Sequence, residues 1–261
     1  MDYHDRIAVV TGANSGIGAA TALRLAGLGA TVAVVGHRPG STDEIVDRIT
    51  RADGKAVGFA ADVADPDAVE GMFDQLRERL GRVDLVVANA GINGVWAPLE
   101  ELTWQEWQQT LTVNLGGTFL TVKHALPLLK ASGGGSVVIT ASVNGTRMFS
   151  NSGASAYSAS KAAQVAFAKS IAVELARHAV RVNVICPGSV ETEIDDNTER
   201  RHTDGLRLPV EFPEGQIPLA GKRPASADQV ADLICFLGSG AASHITGTEV
   251  WIDGGQSLLA G

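Results

Sequence analysis

Aromatic residues make up only 5% of the 261 positions, and tyrosine occurs just twice, as Tyr3 and Tyr157. A core so poor in large rings has to be assembled from Ala, Val, Leu and Ile. Cysteine also occurs only twice, and Cys186 and Cys235 lie far apart, which argues against a disulfide framework and a cysteine-based metal centre. The six histidines are scattered without the spacing of a metal motif, so no metal is expected. No apolar run reaches the ~20 residues that cross a bilayer. The opening Met1-Asp2-Tyr3-His4-Asp5-Arg6 lacks the basic-then-apolar layout of a signal peptide, so a cytoplasmic location is expected. Basic residues are outnumbered 21 to 29, for a net charge of −8. Nucleic acids and anionic membrane surfaces are held by clustered Lys and Arg, so neither is an expected partner.

What the chain does contain is 45% apolar and 19% charged residues, the balance of a soluble globular protein, with 30 glycines for tight turns. Its length suits one large α/β domain. The apolar run Ile7-Ala8-Val9-Val10 ends at Thr11-Gly12-Ala13-Asn14-Ser15-Gly16-Ile17-Gly18. An Ala/Leu-rich helical stretch to Leu28 follows, stopped by Gly29, and a strand over 31–35 comes next. Strand, glycine loop and helix in that order form the first unit of a dinucleotide-binding sheet. The glycines let the backbone approach a pyrophosphate, and the helix start offers it unpaired N–H groups.

The alternation continues along the chain. Ser41-Thr42-Asp43-Glu44 reads as a capping box, and a strand over 56–60 runs to Asp62-Val63. Asp65 caps a helix with Pro66 at its first position, and Val69, Met72, Phe73, Leu76 and Leu80 mark that helix's buried face. A strand over 83–87 leads into Asn89-Ala90-Gly91. Thr103-Trp104-Gln105-Glu106 is a second capping box, opening a long helical region through Asn114 to Leu129. A strand over 136–140 ends at Ser142, a helix carries Tyr157 to about Ala179, and a strand over 182–186 meets Pro187-Gly188. Ser226 to Gln229 caps one more helix, and 248–252 is a last strand. Strands alternating with helices throughout predict a doubly wound parallel β-sheet, a Rossmann fold, with helices on both faces of a single domain. Residues 189–224 lack sustained periodicity, and an irregular stretch this long inside a compact domain reads as a substrate lid.

Chemistry concentrates at Tyr157 and Lys161. Four apart on a helix, they stand one turn above each other on one face. A nearby ammonium favours the phenolate over the phenol and lowers a pKa that is ~10 in free tyrosine. A phenol moved toward neutrality can pass a proton to or from a substrate oxygen. The other tyrosine, Tyr3, is expected at a frayed N-terminus. An isolated Tyr-x-x-x-Lys also fits an ordinary surface pair, so the surroundings decide. In a doubly wound sheet the ligand lies outside the carboxyl ends of the strands. Gly12 to Gly18, Asp62, Asn89, Ser142 and Pro187-Gly188 all fall on that edge, and Asn114 can face the same crevice from its helix.

Gly12-x-x-x-Gly16-x-Gly18, Asn89-Ala90-Gly91, Asn114, Ser142, Tyr157-x-x-x-Lys161 and Pro187-Gly188 together resemble the short-chain dehydrogenase/reductase family in its compact single-domain branch. The likeness continues to Gly247-Thr248 and Asp253-Gly254-Gly255. It implies an NAD(P)-dependent oxidoreductase that moves a hydride between NADP(H) or NAD(H) and a ketone or secondary alcohol. By that resemblance Tyr157 is the general acid in reduction and base in oxidation, and Lys161 lowers its pKa and holds the nicotinamide ribose. Ser142 bonds the substrate oxygen, and Asn114 holds a water in the proton relay behind Lys161. Gly12, Asn14, Ser15, Gly16, Ile17 and Gly18 form the phosphate loop. Asp62 and Val63 lie at the adenine and Asn89 near the adenosine ribose. Val190 and Thr192 lie at the carboxamide, with Ala90, Gly91, Pro187 and Gly188 also on the cofactor side.

An acidic residue about twenty positions past the glycine loop would select NAD. Here that strand end is Val35-Gly36-His37-Arg38, with no carboxylate, and an Arg can pair with a 2′-phosphate, so NADP is expected over NAD. The substrate wall is expected from Ile92 to Trp96, from Val143 to Phe149, and from the lid. Trp96, Met148 and Phe149 suggest an apolar pocket, though Trp96 equally suits a subunit contact. The resemblance implies a homotetramer or homodimer, which the tail Leu258-Leu259-Ala260 would fit. Two other readings stand beside this one. A catalytically inactive cofactor-binding regulator on the same fold would usually have lost Ser142, Tyr157 or Lys161. A hydrolase would need a G-x-S-x-G elbow, but Gly153-Ala154-Ser155-Ala156 runs into Tyr157.

Overall fold

The computed structural model describes residues 1–192, 198–206 and 212–260. In chain order its strands are β1 (Ile7–Thr11), β2 (Thr31–Gly36), β3 (Lys55–Ala60), β4 (Leu85–Ala88), β5 (Gly94–Trp96), β6 (Gly135–Thr140), β7 (Val180–Pro187), β8 (Thr198–Arg200) and β9 (Glu249–Ile252). Seven of them form one sheet in the order β3-β2-β1-β4-β6-β7-β9, and every neighbouring pair is parallel. The helices are α1 (Gly16–Gly27), α2 (Asp43–Arg51), α3 (Pro66–Leu80), α4 (Trp104–Leu111), α5 (Gly117–Ala131), α6 (Ser155–Ala176), α7 (Ala227–Gly238) and α8 (Gln256–Ala260).

Alternation along each strand divides the interior into two cores. Val9, Val86, Val137 and Ile139 point into the one closed by α3, α5 and α6. Val10, Val34, Val87 and Val138 point into the one closed by α1, α2 and α7. Both faces are covered, which explains why the strands read as nearly continuous apolar runs. On α3 the buried residues are Val69, Met72, Phe73 and Leu76, each worth about 1.5–3 kcal/mol of burial. Asp65 caps that helix by accepting from Asp67 N and Ala68 N, and the boxes at Thr103/Glu106 and Ser226/Gln229 also form.

The fold departs from expectation at three places. The box at residues 41–44 does not form. Thr42 is itself helical, and Ser41 Oγ donates to Arg38 O at 2.6 Å, closing the turn after β2. Tyr3 is not frayed: it is fully buried, its hydroxyl donating to Cys235 O at 2.6 Å and its N–H to Leu28 O at 3.0 Å. The ring fills a gap that only the packed α7 creates. The helical region through Asn114 is not uniform either, because a π-helical turn (Thr112–Gly116) separates α4 from α5.

The chain winds from β1 to β2 and β3 on one side, then returns to place β4 on the other. A crevice opens outside the carboxyl ends where the direction reverses. Of the predicted lid, residues 193–197 and 207–211 lie outside the described residues. The part between them is seated: β8 runs parallel to β5, pairing Gly94 with Thr198 and Trp96 with Arg200.

Candidate active site

The floor of the crevice is two loops held together by side chain–backbone hydrogen bonds. Thr11 Oγ1, at the end of β1, accepts from Asn89 N at 3.0 Å and Ala90 N at 3.1 Å, and Asn89 Nδ2 donates to Thr11 O at 3.1 Å. Gly12 has φ +63°, and a β-carbon on it would lie 2.9 Å from Ala90 Cα. No side chain fits there, in space or in backbone conformation. A β-carbon on Gly18 would lie 2.1 Å from Gly12 O. Gly18 therefore serves helix–strand packing beneath the loop and is not on the cleft wall. The loop ends where α1 begins at Gly16, presenting helix N–H groups to the cleft.

The opposite wall is built by β6 and α6. Ser142, just past β6, accepts a hydrogen bond on Oγ from Asn144 N at 3.1 Å. Its own hydroxyl hydrogen is left to point elsewhere. Tyr157 and Lys161 sit in the first two turns of α6 and are only 7% and 3% exposed. Lys161 Nζ lies 5.5 Å from the tyrosine ring centroid and donates to Thr140 O at 2.9 Å. Burial pushes the Lys161 pKa down to about 8, with Cys186 on β7 opposing slightly. Desolvation thus weakens, without removing, the ammonium form at neutral pH.

The cleft these residues line encloses about 530 Å3, within the range of ligand and cofactor sites. Except for Gly18, every position expected on the cofactor side lines it, from Gly12 and Asn14 through His37, Arg38, Asp62, Val63 and Gly91 to Pro187, Gly188, Val190 and Thr192. Ser142, Tyr157 and Lys161 line the same space. Asn114 does not. It is fully buried in the π turn behind Gly91, with Oδ1 accepting from Ile92 N at 2.8 Å and Nδ2 donating to Ile92 O and Ser160 Oγ. The close-packed glycine loop and the buried, unpartnered Thr140 Oγ1 on the wall suit an elongated phosphate-bearing ligand such as a nicotinamide dinucleotide. At the far end, His37 Nε2 stands 3.2 Å from Asp62 Oδ2. Among the described residues no group of three His, Cys, Asp or Glu gathers where a metal ion would be held.

Gln109, Val113, Thr140 and Ala141 also line the cleft, and sequence reasoning missed them. Thr140 and Ala141 precede Ser142 on the same strand end, a signal that was there to read. Gln109 and Val113 needed the helix rotation, which the sequence does not show. Of the three apolar residues expected at the substrate, Trp96 is buried with its ring 6.4 Å from that of Tyr157 and Arg200 stacked 4.3 Å over it. Met148 is buried as well, whereas Phe149 is 71% exposed and belongs to the surface.

A family model described as enoyl-(acyl carrier protein) reductase matches residues 12–257. The cis-4-hydroxycyclohexanecarboxylate dehydrogenase of Sinomonas cyclohexanicum is 37% identical over 259 residues, which is 98% of each chain. The crystal structure of a 3-ketoacyl-ACP reductase from Sinorhizobium meliloti 1021 matches with a TM-score of 0.94 and 50% identity, covering 97% of this chain and 99% of the other. Carveol dehydrogenase from Mycobacterium avium, in complex with NAD, matches with a TM-score of 0.86 and 29% identity over 98% of both chains.

Proposed function

The chain belongs to the short-chain dehydrogenase/reductase family, and from that premise we propose that Tyr157 gives a proton to a ketone oxygen in reduction and takes it from a secondary alcohol in oxidation. The protein is a nicotinamide-dependent oxidoreductase. The carrying observation is that Ser142, Tyr157 and Lys161 share the cleft wall opposite the glycine loop. A nicotinamide held there would supply or receive the hydride. Lys161, beside the phenol and out of water, favours the phenolate that forms when the proton leaves. Ser142, its oxygen already accepting from Asn144, has its hydrogen available to bond the substrate oxygen as charge develops. Lys161 and Tyr157 would also hold the nicotinamide ribose, the glycine loop the phosphates, and Asp62 and Val63 the adenine. The inactive-regulator reading finds no support, since the related proteins are named as dehydrogenases and reductases.

Tyr157→Phe keeps the ring and removes the proton. Its kcat should fall by about 10²–10⁴-fold while cofactor still binds, as followed by quenching of the four tryptophans. Wild-type kcat in that variant would sink the assignment.

For the coenzyme we infer NADP over NAD. His37 and Arg38 line the cleft where β2 ends, and Asp62, the one acid among the described residues that line it, is paired with His37. A higher kcat/KM with NADH than with NADPH would overturn this. The substrate reading is a ketone or secondary alcohol on an apolar frame, with Trp96 as wall and the stretch 189–224 as lid. The related enzymes' names, with their cyclohexane ring, carveol and ketoacyl group, are in keeping with that class. A homotetramer or homodimer is proposed through α5 and α6, where Phe119 and Val173 are exposed.

A further inference from the structure

Roughly twenty positions past the glycine loop, where a dinucleotide fold meets the adenosine 2′ position, this chain places an imidazole, His37. The turn that carries it is tightly made. β2 ends at Gly36, where a β-carbon would collide with Ser41 Oγ. Ser41 Oγ donates to Arg38 O at 2.6 Å and accepts from Arg38 N at 3.4 Å, so that hydroxyl is spent inside the turn. His37 and Arg38 are the polar side chains that the turn gives to the cleft.

Opposite them, at the end of β3, Asp62 is fixed by its own backbone. Its Oδ1 accepts from Ala64 N at 2.9 Å, which leaves Oδ2 for His37 Nε2 at 3.2 Å. The two side chains are 65% and 45% exposed, so a ligand in the cleft can reach them. A carboxylate only accepts, and Nε2 therefore carries its hydrogen whether the ring is charged or neutral. The proton that comes and goes is the one on Nδ1. With it, the ring is a cation that covers the Asp62 charge and can donate to a phosphate. Without it, Nδ1 offers a lone pair that suits a hydroxyl, and the Asp62 charge beside it is uncovered. The remaining groups around the ring do not change over the same range. Arg38 stays charged, and Asn14 and Ser15 of the glycine loop, on the same cleft, are neutral. Asp43 and Glu44, in the first turn of α2, stand outside the cleft.

We infer that His37 is a specificity-determining residue whose Nδ1 proton sets how strongly the 2′ site prefers a phosphate to a hydroxyl. Protonated, it joins Arg38 on the 2′-phosphate of NADP. Neutral, and held through Nε2 by Asp62, it accepts from the 2′-hydroxyl of NAD. This rests on the dinucleotide reading of the cleft and refines the choice of NADP given above. Histidine changes charge between about pH 5 and 8, so the preference for NADP should fall as pH rises through neutrality. The phosphate's own second ionisation, near pH ~6, pushes the other way, and a variant without the imidazole measures that contribution by itself.

The test is calorimetric titration of NADP+ and NAD+ into the wild-type protein and His37→Gln, from about pH 6 to about pH 8.5. No substrate is needed, and any titration felt equally by both coenzymes cancels in the ratio of their dissociation constants. The wild-type preference for NADP+, divided by that of His37→Gln at the same pH, should fall about 10-fold across the range. His37→Lys, with a charge that does not titrate there, should keep the preference high and, measured against His37→Gln, flat. A wild-type quotient constant within about twofold overturns the inference and leaves His37 a bystander at the cleft. NAD+ bound more tightly than NADP+ at every pH, with the quotient still falling, overturns the choice of NADP and supports the role of His37. Binding of neither coenzyme breaks the dinucleotide reading and this inference together.

Discussion

Lys161 is held in the folded state against the preference of its charge. It is 3% exposed, its one described hydrogen bond is to Thr140 O, and burial brings its pKa from an ordinary 10.5 down to about 8. Between those two values the unfolded chain keeps the proton and the folded one releases it, so the cofactor-free protein should gain stability as pH rises through that window. Below about 8 both states carry the proton, and the folded state bears the full cost of the buried charge. Lys161→Met should remove the pH dependence and stabilise the cofactor-free protein at pH 7 by on the order of 1–3 kcal/mol. The same change should abolish most activity. Thermal melts of both proteins across pH 7 to 10.5 provide the check; a methionine variant that is less stable at neutral pH would show that this ammonium stabilises the fold.

At the scale of elements, β8 and the turn after it are tied down beside Tyr157. Arg201 donates from Nη1 and Nη2 to the two oxygens of Glu106, both at 3.0 Å, and from Nη2 to Glu101 O at 2.8 Å. Glu106 Oε2 at the same time accepts from Thr103 N, so one carboxylate both caps α4 and anchors the segment that follows β8. Arg201 first, and then the Thr103 N–H, hold the Glu106 pKa down to about 2. A carboxylate depressed in the folded state keeps its contribution above its ordinary pKa and loses it only as pH falls through about 2. The anchor should therefore survive ordinary acidification. Glu106→Gln can still accept from Thr103 N but loses the charged two-point contact. Faster proteolytic nicking within residues 198–206 and a higher substrate KM are expected, with cofactor affinity unchanged. Unchanged nicking would mean that the β5–β8 pairing alone holds the segment.

For the whole molecule, the exposed apolar groups of α5 and α6 bear on assembly. Phe119 is 45% exposed and meets Phe167 edge-on, and Val173 is 84% exposed. The C-terminal Leu258 and Leu259 are exposed as well. Sedimentation at micromolar concentration should show a dimer or tetramer, and Val173→Glu should shift it toward smaller species. A wild-type protein sedimenting as a monomer would refute the assembly. No helix among the described residues is long and apolar enough to cross a membrane. Much of this architecture was legible in the chain because its signals are local. Apolar runs between turns, the Gly12 to Gly18 loop, Asp65 before Pro66, and Tyr157 four before Lys161 each report a backbone state or a shared face within a few residues. Once those elements alternate, a doubly wound sheet follows, and with it the edge on which Asn89, Ser142 and Pro187 must lie. Tertiary structure alone decided what depends on partners distant in sequence. Tyr3 reads as a loose end until α7 supplies Cys235 O, and His37 acquires Asp62 only when β2 and β3 lie side by side. Asn114 reads as a helical residue facing the crevice until Ile92 and Ser160 hold it, fully buried, in a π turn behind the wall. Periodicity tells which face of a helix is buried, but the residue it meets there is set by how the helices are rotated and stacked on the sheet.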